Sequence, residues 1–154
     1  MKLNVIGHTQ YSIRHLKRFH LICDLVDQSV KPLPGYVNLI FCDDSTLHRL
    51  NRDFRKKDKV TDVLTFTYYD ESQLRTPDPE FLLGEVILSI PQTKRQAKEY
   101  GVTFESEMYK LCIHGLLHLR GYDHEADEDY RVMKLLEDKI MRSFLKSKKT
   151  GSFF

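Results

Sequence analysis

The segment from Leu111 to His124, LCIHGLLHLRGYDH, predicts the helix around which the rest of the chain folds. Up to Leu119, its only strongly polar side chains are His114 and His118. A helix that is apolar nearly all round is usually buried, and buried polar side chains need partners. Since residues four apart lie on the same helix face, one divalent cation could satisfy both imidazoles.

The position of Gly121 predicts where this helix ends. It also predicts how His124 could approach His114 and His118. A glycine just past the last apolar position can adopt a positive φ, end the helix and turn the chain sharply. His124 would then return toward the face that carries His114 and His118. Three neutral imidazoles with an open position for water form a common catalytic zinc site, in which bound water has a pKa of roughly 7. We therefore expect these histidines to bind one divalent metal ion, with Zn²⁺ favoured, although nickel, copper and iron also suit imidazole ligands.

The spacing H-x-x-x-H-x-x-G-x-x-H also occurs in metzincin proteases, but one residue of that pattern differs here. Metzincins carry a glutamate directly after the first histidine, where it acts as the general base. Gly115 occupies that position and has no side chain to accept a proton. The sequence therefore argues against peptide hydrolysis by the metzincin route. We expect the glycine to let another element approach the helix closely.

The composition is that of one globular domain. Of the 154 residues, 41% are hydrophobic and 30% are charged, which is close to the average of soluble domains. We expect a single domain over residues 1–145, followed by a flexible basic tail over residues 146–154.

The same features indicate the cellular compartment. No uncharged stretch approaches the roughly 18 residues that a membrane helix needs, and the N-terminus lacks the apolar core of a signal peptide. Cys23, Cys42 and Cys112 are an odd number without C-x-x-C spacing, which favours buried, reduced thiols over disulfides. We therefore expect a cytoplasmic protein that does not associate with membranes.

The hydrophobic pattern predicts strands and helices in irregular order. Ser12 is expected to cap the first helix, Asp43 or Asp44 the second, and Pro91 to lie in the first turn of the third. Strands are predicted at 3–7, 36–42, 62–69 and 84–90, and helices at 12–29, 44–54, 91–100, 104–119 and 127–145, with a loop between 70 and 80. Three or four strands among about five helices predict an α+β or mixed α/β layer domain.

Charged residues are segregated along a chain whose net charge is only +2. Residues 49–59 contain six basic side chains and two acids, whereas residues 123–129 contain five acids and no Lys or Arg. Such segregation can produce a local positive field on a nearly neutral protein.

The segment HGLLHLRGYDH closely resembles the motif of the YbeY family of bacterial endoribonucleases. The resemblance extends upstream to LNRDFRKKDKVTDVLTFT at residues 50–67 and GEVILSI at residues 84–90. In the family, an arginine leads into a T-D-V-L-(S/T)-F strand, and a glycine–acid–apolar strand follows. These blocks cover most of residues 45–130.

The resemblance implies a single-domain α+β fold with a mixed sheet and a metal cleft formed by the histidine helix. It implies a metal-dependent hydrolase of single-stranded RNA that acts in ribosomal RNA maturation, notably at the 3′ end of the small-subunit RNA, and in ribosome quality control. The family's metal ligands correspond to His114, His118 and His124, and its functional arginine corresponds to Arg55. Thr65 stands where the family often has serine, which is a mild change.

The basic cluster is compatible with phosphodiester chemistry. A guanidinium can bind phosphoryl oxygens bidentately as charge develops on them, and Arg55 would do so if its turn lies beside the histidines. Lys56, Lys57 and Lys59 could bind flanking phosphates of RNA with a salt-dependent gain in affinity. The alternative for the three lysines is a solvated helix end.

Some residues near these motifs have a structural and a functional interpretation. Tyr68, Tyr69 and Tyr122 could stack on bases, but core packing is the favoured role. For the acids at 127–129, we expect helix capping and solvation. Asp123 could orient a ligand imidazole or complete a metal site.

Three functions stay open when the residues and the resemblance are considered together. The leading hypothesis is a zinc-type endoribonuclease that acts on single-stranded ribosomal RNA and associates with the ribosome. The second is another metal hydrolase, protease-like or amidase-like, against which Gly115 argues. The third is a non-catalytic ribosome-associated protein with a structural metal, which three ligands instead of four make less favourable.

Overall fold

The computed structural model describes residues 1–55, 61–123 and 125–149. Several residues singled out from the sequence lie outside these ranges. They are Lys56, Lys57, Lys59, His124 and residues 150–154 of the expected tail.

Four strands form one mixed sheet in the order β1-β2-β4-β3. Strand β1 is parallel to β2 and β2 is parallel to β4, whereas β3 is antiparallel to β4. The strands are β1 Lys2–Ile6, β2 Tyr36–Cys42, β3 Val63–Thr67 and β4 Leu82–Ser89. The predicted α+β class, the mixed sheet and the strand positions are therefore confirmed.

Six helices occur in the described part of the chain, and five of them are longer than one turn. The sixth, α3, lies in the segment where the sequence predicts only a loop. The helices are α1 Leu16–Ser29, α2 Asp44–Arg55, α3 Glu71–Leu74, α4 Ile90–Tyr100, α5 Phe104–Leu119 and α6 Asp127–Lys149. None of these helices has both the length and the apolar character required to cross a membrane.

Two helix ends differ from the sequence prediction. Helix α1 begins at Leu16, and Ser12 has φ 55°, in the left-handed region, where it cannot act as an extended N-cap. The prediction of Ser12 as the cap is wrong because the Ser12 amide instead donates to Thr9 in a turn. Ile13 is buried in that turn and so mimics the first core position of a helix. Helix α6 continues to Lys149, four residues past the predicted end.

The other helix ends follow the sequence signals. The Asp43 carboxylate accepts a hydrogen bond from the Thr46 amide at 2.8 Å. Bonds from Thr46 and Ser45 favour its charged form, so the pKa of Asp43 lies below its ordinary value. Thr103 caps α5 by accepting from the Ser106 amide at 3.0 Å.

Helix α5 lies at the centre of the molecule, as its composition predicts. It packs against β3 and β4 of the sheet and against α1, α4 and α6. Ten of its sixteen residues are buried, so the helix has almost no solvent-exposed face. The large core cluster lies on this side of the sheet.

Helix α2 covers a second, smaller cluster. That cluster consists of Cys42, Leu47, Leu64 and Ile87. Ile87 lies between Val86 and Leu88 of the large cluster. Because successive strand residues point to opposite faces of a sheet, the small cluster lies on the other face.

Candidate active site

His114 and His118 lie together at the C-terminal half of α5. Their Nε2 atoms are 3.0 Å apart, and the two rings meet nearly edge to face. Two nitrogens bound to one tetrahedral zinc ion at about 2.0–2.1 Å lie roughly 3.4 Å from each other. The pair therefore faces one point with a spacing that suits a shared metal ion within a few tenths of an ångström.

Gly115 lets α5 lie directly on the sheet. A Cβ atom at this position would be 2.4 Å from Val86 Cγ1, well inside van der Waals contact. The Gly115 carbonyl also accepts a hydrogen bond from the Thr65 hydroxyl at 3.2 Å. The expectation of a close approach is confirmed. A glutamate general base of the metzincin kind has no room here.

Gly121 makes the turn that the sequence predicts. It has φ 95°, and its amide donates to the His118 carbonyl at 3.0 Å, so the chain leaves the helix directly after the histidine pair. The third predicted ligand, His124, lies outside the described residues. Among those that are described, no three His, Cys, Asp or Glu side chains come close enough to hold a metal ion. The structure thus brings together two of the three predicted ligands.

The histidine pair opens into a cleft of about 690 Å³ between α5, the C-terminal end of α2 and strand β3. Arg55, Thr65 and Tyr122 also line this cleft. Arg55 and the histidines therefore share one cavity, although 59 positions separate Arg55 from His114 in the sequence.

The Arg55 guanidinium is held by its contacts with β3. It donates a hydrogen bond to the Thr65 carbonyl, and its Cζ lies 5.6 Å from the centre of the Phe66 ring. Because Thr65 also bonds to Gly115, one residue of β3 connects the arginine with the histidine helix. A serine at position 65 would keep both contacts.

The three tyrosines differ in their surroundings. Tyr69 is partly buried against the core, and its hydroxyl donates to the Leu119 carbonyl at 2.8 Å, which agrees with the packing role. Tyr68 is 46% exposed and donates to Glu85 at 2.7 Å. Burial and this carboxylate raise the pKa of Tyr68 to about 12. Tyr122 alone of the three lines the cleft.

The sequence model of the endoribonuclease YbeY family matches residues 8–145. The chain belongs to this family. The family consists of endoribonucleases, so the predicted family and enzyme class are both confirmed.

Two relatives that bear the name endoribonuclease YbeY match across most of their own length. The Fusobacterium nucleatum protein is 33% identical over 143 residues, which cover 93% of this chain and 88% of the relative. The Pelotomaculum thermopropionicum protein is 39% identical over 119 residues, which cover 74% and 78%. A Thermotoga maritima protein solved in solution has a TM-score of 0.67 and 26% identity, covering 97% of this chain and 93% of that one.

The sequence analysis missed two polar residues of this YbeY-family site, one that lines the cleft and one that contacts His114 from α6. Glu137 of α6 accepts a hydrogen bond from Nδ1 of His114. Asn51 of α2 lines the cleft and is only 2% exposed. Both residues could be identified from the sequence, because residues four apart share a helix face. Asn51 lies four residues after buried Leu47, and Glu137 lies four residues after buried Met133. A polar side chain at a core-facing helix position is a signal that the sequence alone contains.

The acids near the histidine motif are mostly solvated. The first-turn residues of α6, at positions 127–129, are exposed, as expected for solvated side chains. Asp123 and Glu125 are exposed as well, but both line the cleft.

Proposed function

We propose that this protein is a metal-dependent, single-strand-specific endoribonuclease that acts in the cytoplasm on ribosomal RNA. The proposed task is maturation of the 3′ end of the small-subunit RNA and ribosome quality control. Family membership supports the enzyme class. The observation that carries the rest is that one cleft contains both the histidine pair and Arg55.

His114, His118 and His124 would hold the metal ion. The donor set suits zinc, since neutral imidazoles are standard zinc ligands and the two Nε2 atoms already face one point. When bound, a divalent ion supplies Lewis-acid chemistry and lowers the pKa of water toward neutrality.

Arg55 would bind the phosphoryl group that is cleaved. Negative charge grows on the non-bridging oxygens during phosphodiester hydrolysis, and a guanidinium can contact two of them at once. The hydrogen bond to the Thr65 carbonyl holds the group at the cleft before the substrate arrives. This preorganisation reduces the cost of orienting the charge during the reaction.

The size of the cleft supports single-stranded substrates. A cavity of about 690 Å³ is in the usual range for a small-molecule site. It can enclose a nucleotide or two of a flexible strand, whereas a base-paired helix is far too wide. Lys56, Lys57 and Lys59 directly follow Arg55 in the sequence and would bind neighbouring phosphates.

Two substitutions test the proposal with metal analysis and a cleavage assay on single-stranded ribosomal RNA. His114→Ala should lose both the metal and the activity, and chelation of the wild type should have the same effect on activity. Arg55→Ala should keep the metal and the melting temperature but cleave about 100- to 1,000-fold more slowly, since it removes one charged group from the transition state.

Arg52→Ala is the matched control for Arg55→Ala. Arg52 lies on the same helix, is exposed and pairs with Asp53 at 3.0 Å, so its loss changes the net charge equally outside the cleft lining. Equal cleavage by the two arginine variants would contradict the role of Arg55. Cleavage that survives chelation would contradict metal dependence. Bound metal without RNA cleavage would favour the non-catalytic ribosome-associated protein.

A further inference from the structure

Glu137 makes a contact that connects α6 with the histidine helix. Its carboxylate accepts a hydrogen bond from Nδ1 of His114 across 23 positions of sequence. The side chain of Glu137 is 12% exposed and that of His114 is 27% exposed. Both side chains are therefore largely shielded from solvent, which limits the competition of water for this hydrogen bond.

A carboxylate at the position of Glu137 is unfavourable unless it has a polar partner. Met133, Ile140 and Phe144 are buried on the same face of α6. In the described part of the chain, no Lys or Arg side chain pairs with Glu137, whereas Lys134 and Asp138 pair on the exposed side of this helix. Its charge is therefore directed at the imidazole of His114.

The hydrogen bond from Nδ1 determines which nitrogen of His114 carries the lone pair that could bind a metal ion. When Nδ1–H donates to a carboxylate, the neutral ring carries its lone pair on Nε2. That atom is the one that lies 3.0 Å from Nε2 of His118. Glu137 thus selects the tautomer and the ring orientation that a shared metal ion requires.

We propose that Glu137 is a positioning residue that holds His114 ready for the metal and thereby sets the metal affinity of the site. This inference rests on the proposed metal site. It concerns a residue of α6, outside the histidine motif.

Metal affinity of the Glu137→Gln variant tests the inference. Glutamine keeps the shape of glutamate but loses its charge, and its amide can either accept a hydrogen bond from Nδ1 or donate one to it, so it no longer selects the tautomer of His114. We expect Zn²⁺ affinity, measured by competition with a chromophoric chelator, to fall by about 10- to 100-fold. The melting temperature of the metal-free variant should stay at the wild-type value, because the hydrogen bond and the packing remain.

Asp138→Asn is the matched control. It removes the same charge from the next position of the same helix, where Asp138 is half exposed and pairs with Lys134. We expect this variant to bind Zn²⁺ like the wild type. Equal affinities of Glu137→Gln, Asp138→Asn and the wild type would overturn the proposal. So would an equal loss of affinity in both variants, which would indicate an effect of net charge alone.

The tautomer can be read directly in the wild-type protein. A long-range ¹H–¹⁵N spectrum of the metal-free protein should show His114 with its proton on Nδ1. A proton on Nε2 would overturn the proposal even if Glu137→Gln failed to fold. If the wild type binds no metal, the metal site of the proposed function fails with it, whereas tight binding that Glu137→Gln leaves unchanged overturns only this inference.

Discussion

Gly115 is the residue that decides how closely the histidine helix approaches the sheet. Val86 is fully buried, and its Cγ1 occupies the space that a side chain at position 115 would need. On a free helix, alanine is more favourable than glycine by roughly 1 kcal/mol. Here the shortest contact would be only 2.4 Å, so the steric term outweighs the helix propensity.

Gly115→Ala should therefore lower the free energy of unfolding. Overpacking of a well-filled core costs about 1–3 kcal/mol, which exceeds the gain in propensity. Urea denaturation of the wild type and the variant measures the difference. The same substitution in a Val86→Ala background is the control, because it removes the colliding methyl group. There, Gly115→Ala should be neutral or stabilising, and an unchanged loss would show that the clash is not the cause.

At the scale of the element, a capping threonine and a glycine turn determine where helix α5 begins and ends. Thr103 caps the first turn, and Glu105 and Glu107 place negative charge near the positive end of the helix dipole. The Gly121 turn ends the helix just beyond the histidine pair. The cap lies at the opposite end of the helix from the cleft, since eleven positions separate Thr103 from His114.

Thr103→Ala should lower the stability of the protein by about 1 kcal/mol, because the Ser106 amide loses its acceptor. Chemical denaturation measures this loss. Thr103→Ser keeps the hydroxyl and should stay within a few tenths of a kcal/mol of the wild type. Because the cap is remote from the histidines, metal affinity should be unchanged in both variants. A serine variant as unstable as the alanine variant would show that the methyl group matters instead of the hydrogen bond.

The elements that the sequence predicts best are those with strong local signals. Helix α5 spans the predicted residues and ends before the predicted Gly121 turn, and α4 ends at Gly101 with φ 68°. The first helix begins later than the sequence predicts, because a buried loop residue, Ile13, has the spacing of a helix position. The strand order could not be derived, since the pairing of β2 with β4 depends on contacts across more than forty residues.

The candidate site likewise contains one contact that the sequence predicts and others that depend on how distant elements pack. The pairing of His114 with His118 follows from the spacing of four residues on one helix, so the sequence is sufficient to predict it. The contact between Arg55 and Thr65 joins α2 to β3 and depends on how these two elements pack, and only the resemblance pointed to the arginine. The bond from His114 to Glu137 joins two helices, and nothing local specifies their packing.

At the scale of the whole molecule, the sheet separates two core clusters of different size. Cys23 and Cys112 belong to the large cluster beneath α1, α5 and α6. Cys42 belongs to the four-residue cluster beneath α2. All three thiols are free and buried, which confirms the expectation from the cysteine pattern. Burial raises the pKa of Cys23 and of Cys42 to about 12, so both stay protonated and unreactive at neutral pH while the protein is folded.

Alkylation of these thiols should therefore report how the molecule opens. The small cluster buries few side chains, so we expect α2 to detach at a lower free energy than the rest of the fold. Cys42 should then be modified by iodoacetamide before Cys23 and Cys112, which should react together at the rate of global unfolding. Mass spectrometry of peptides after timed labelling in low urea measures the three rates. Labelling in fully denaturing urea is the control for intrinsic reactivity, and three equal rates in low urea would mean that the two clusters open as one unit.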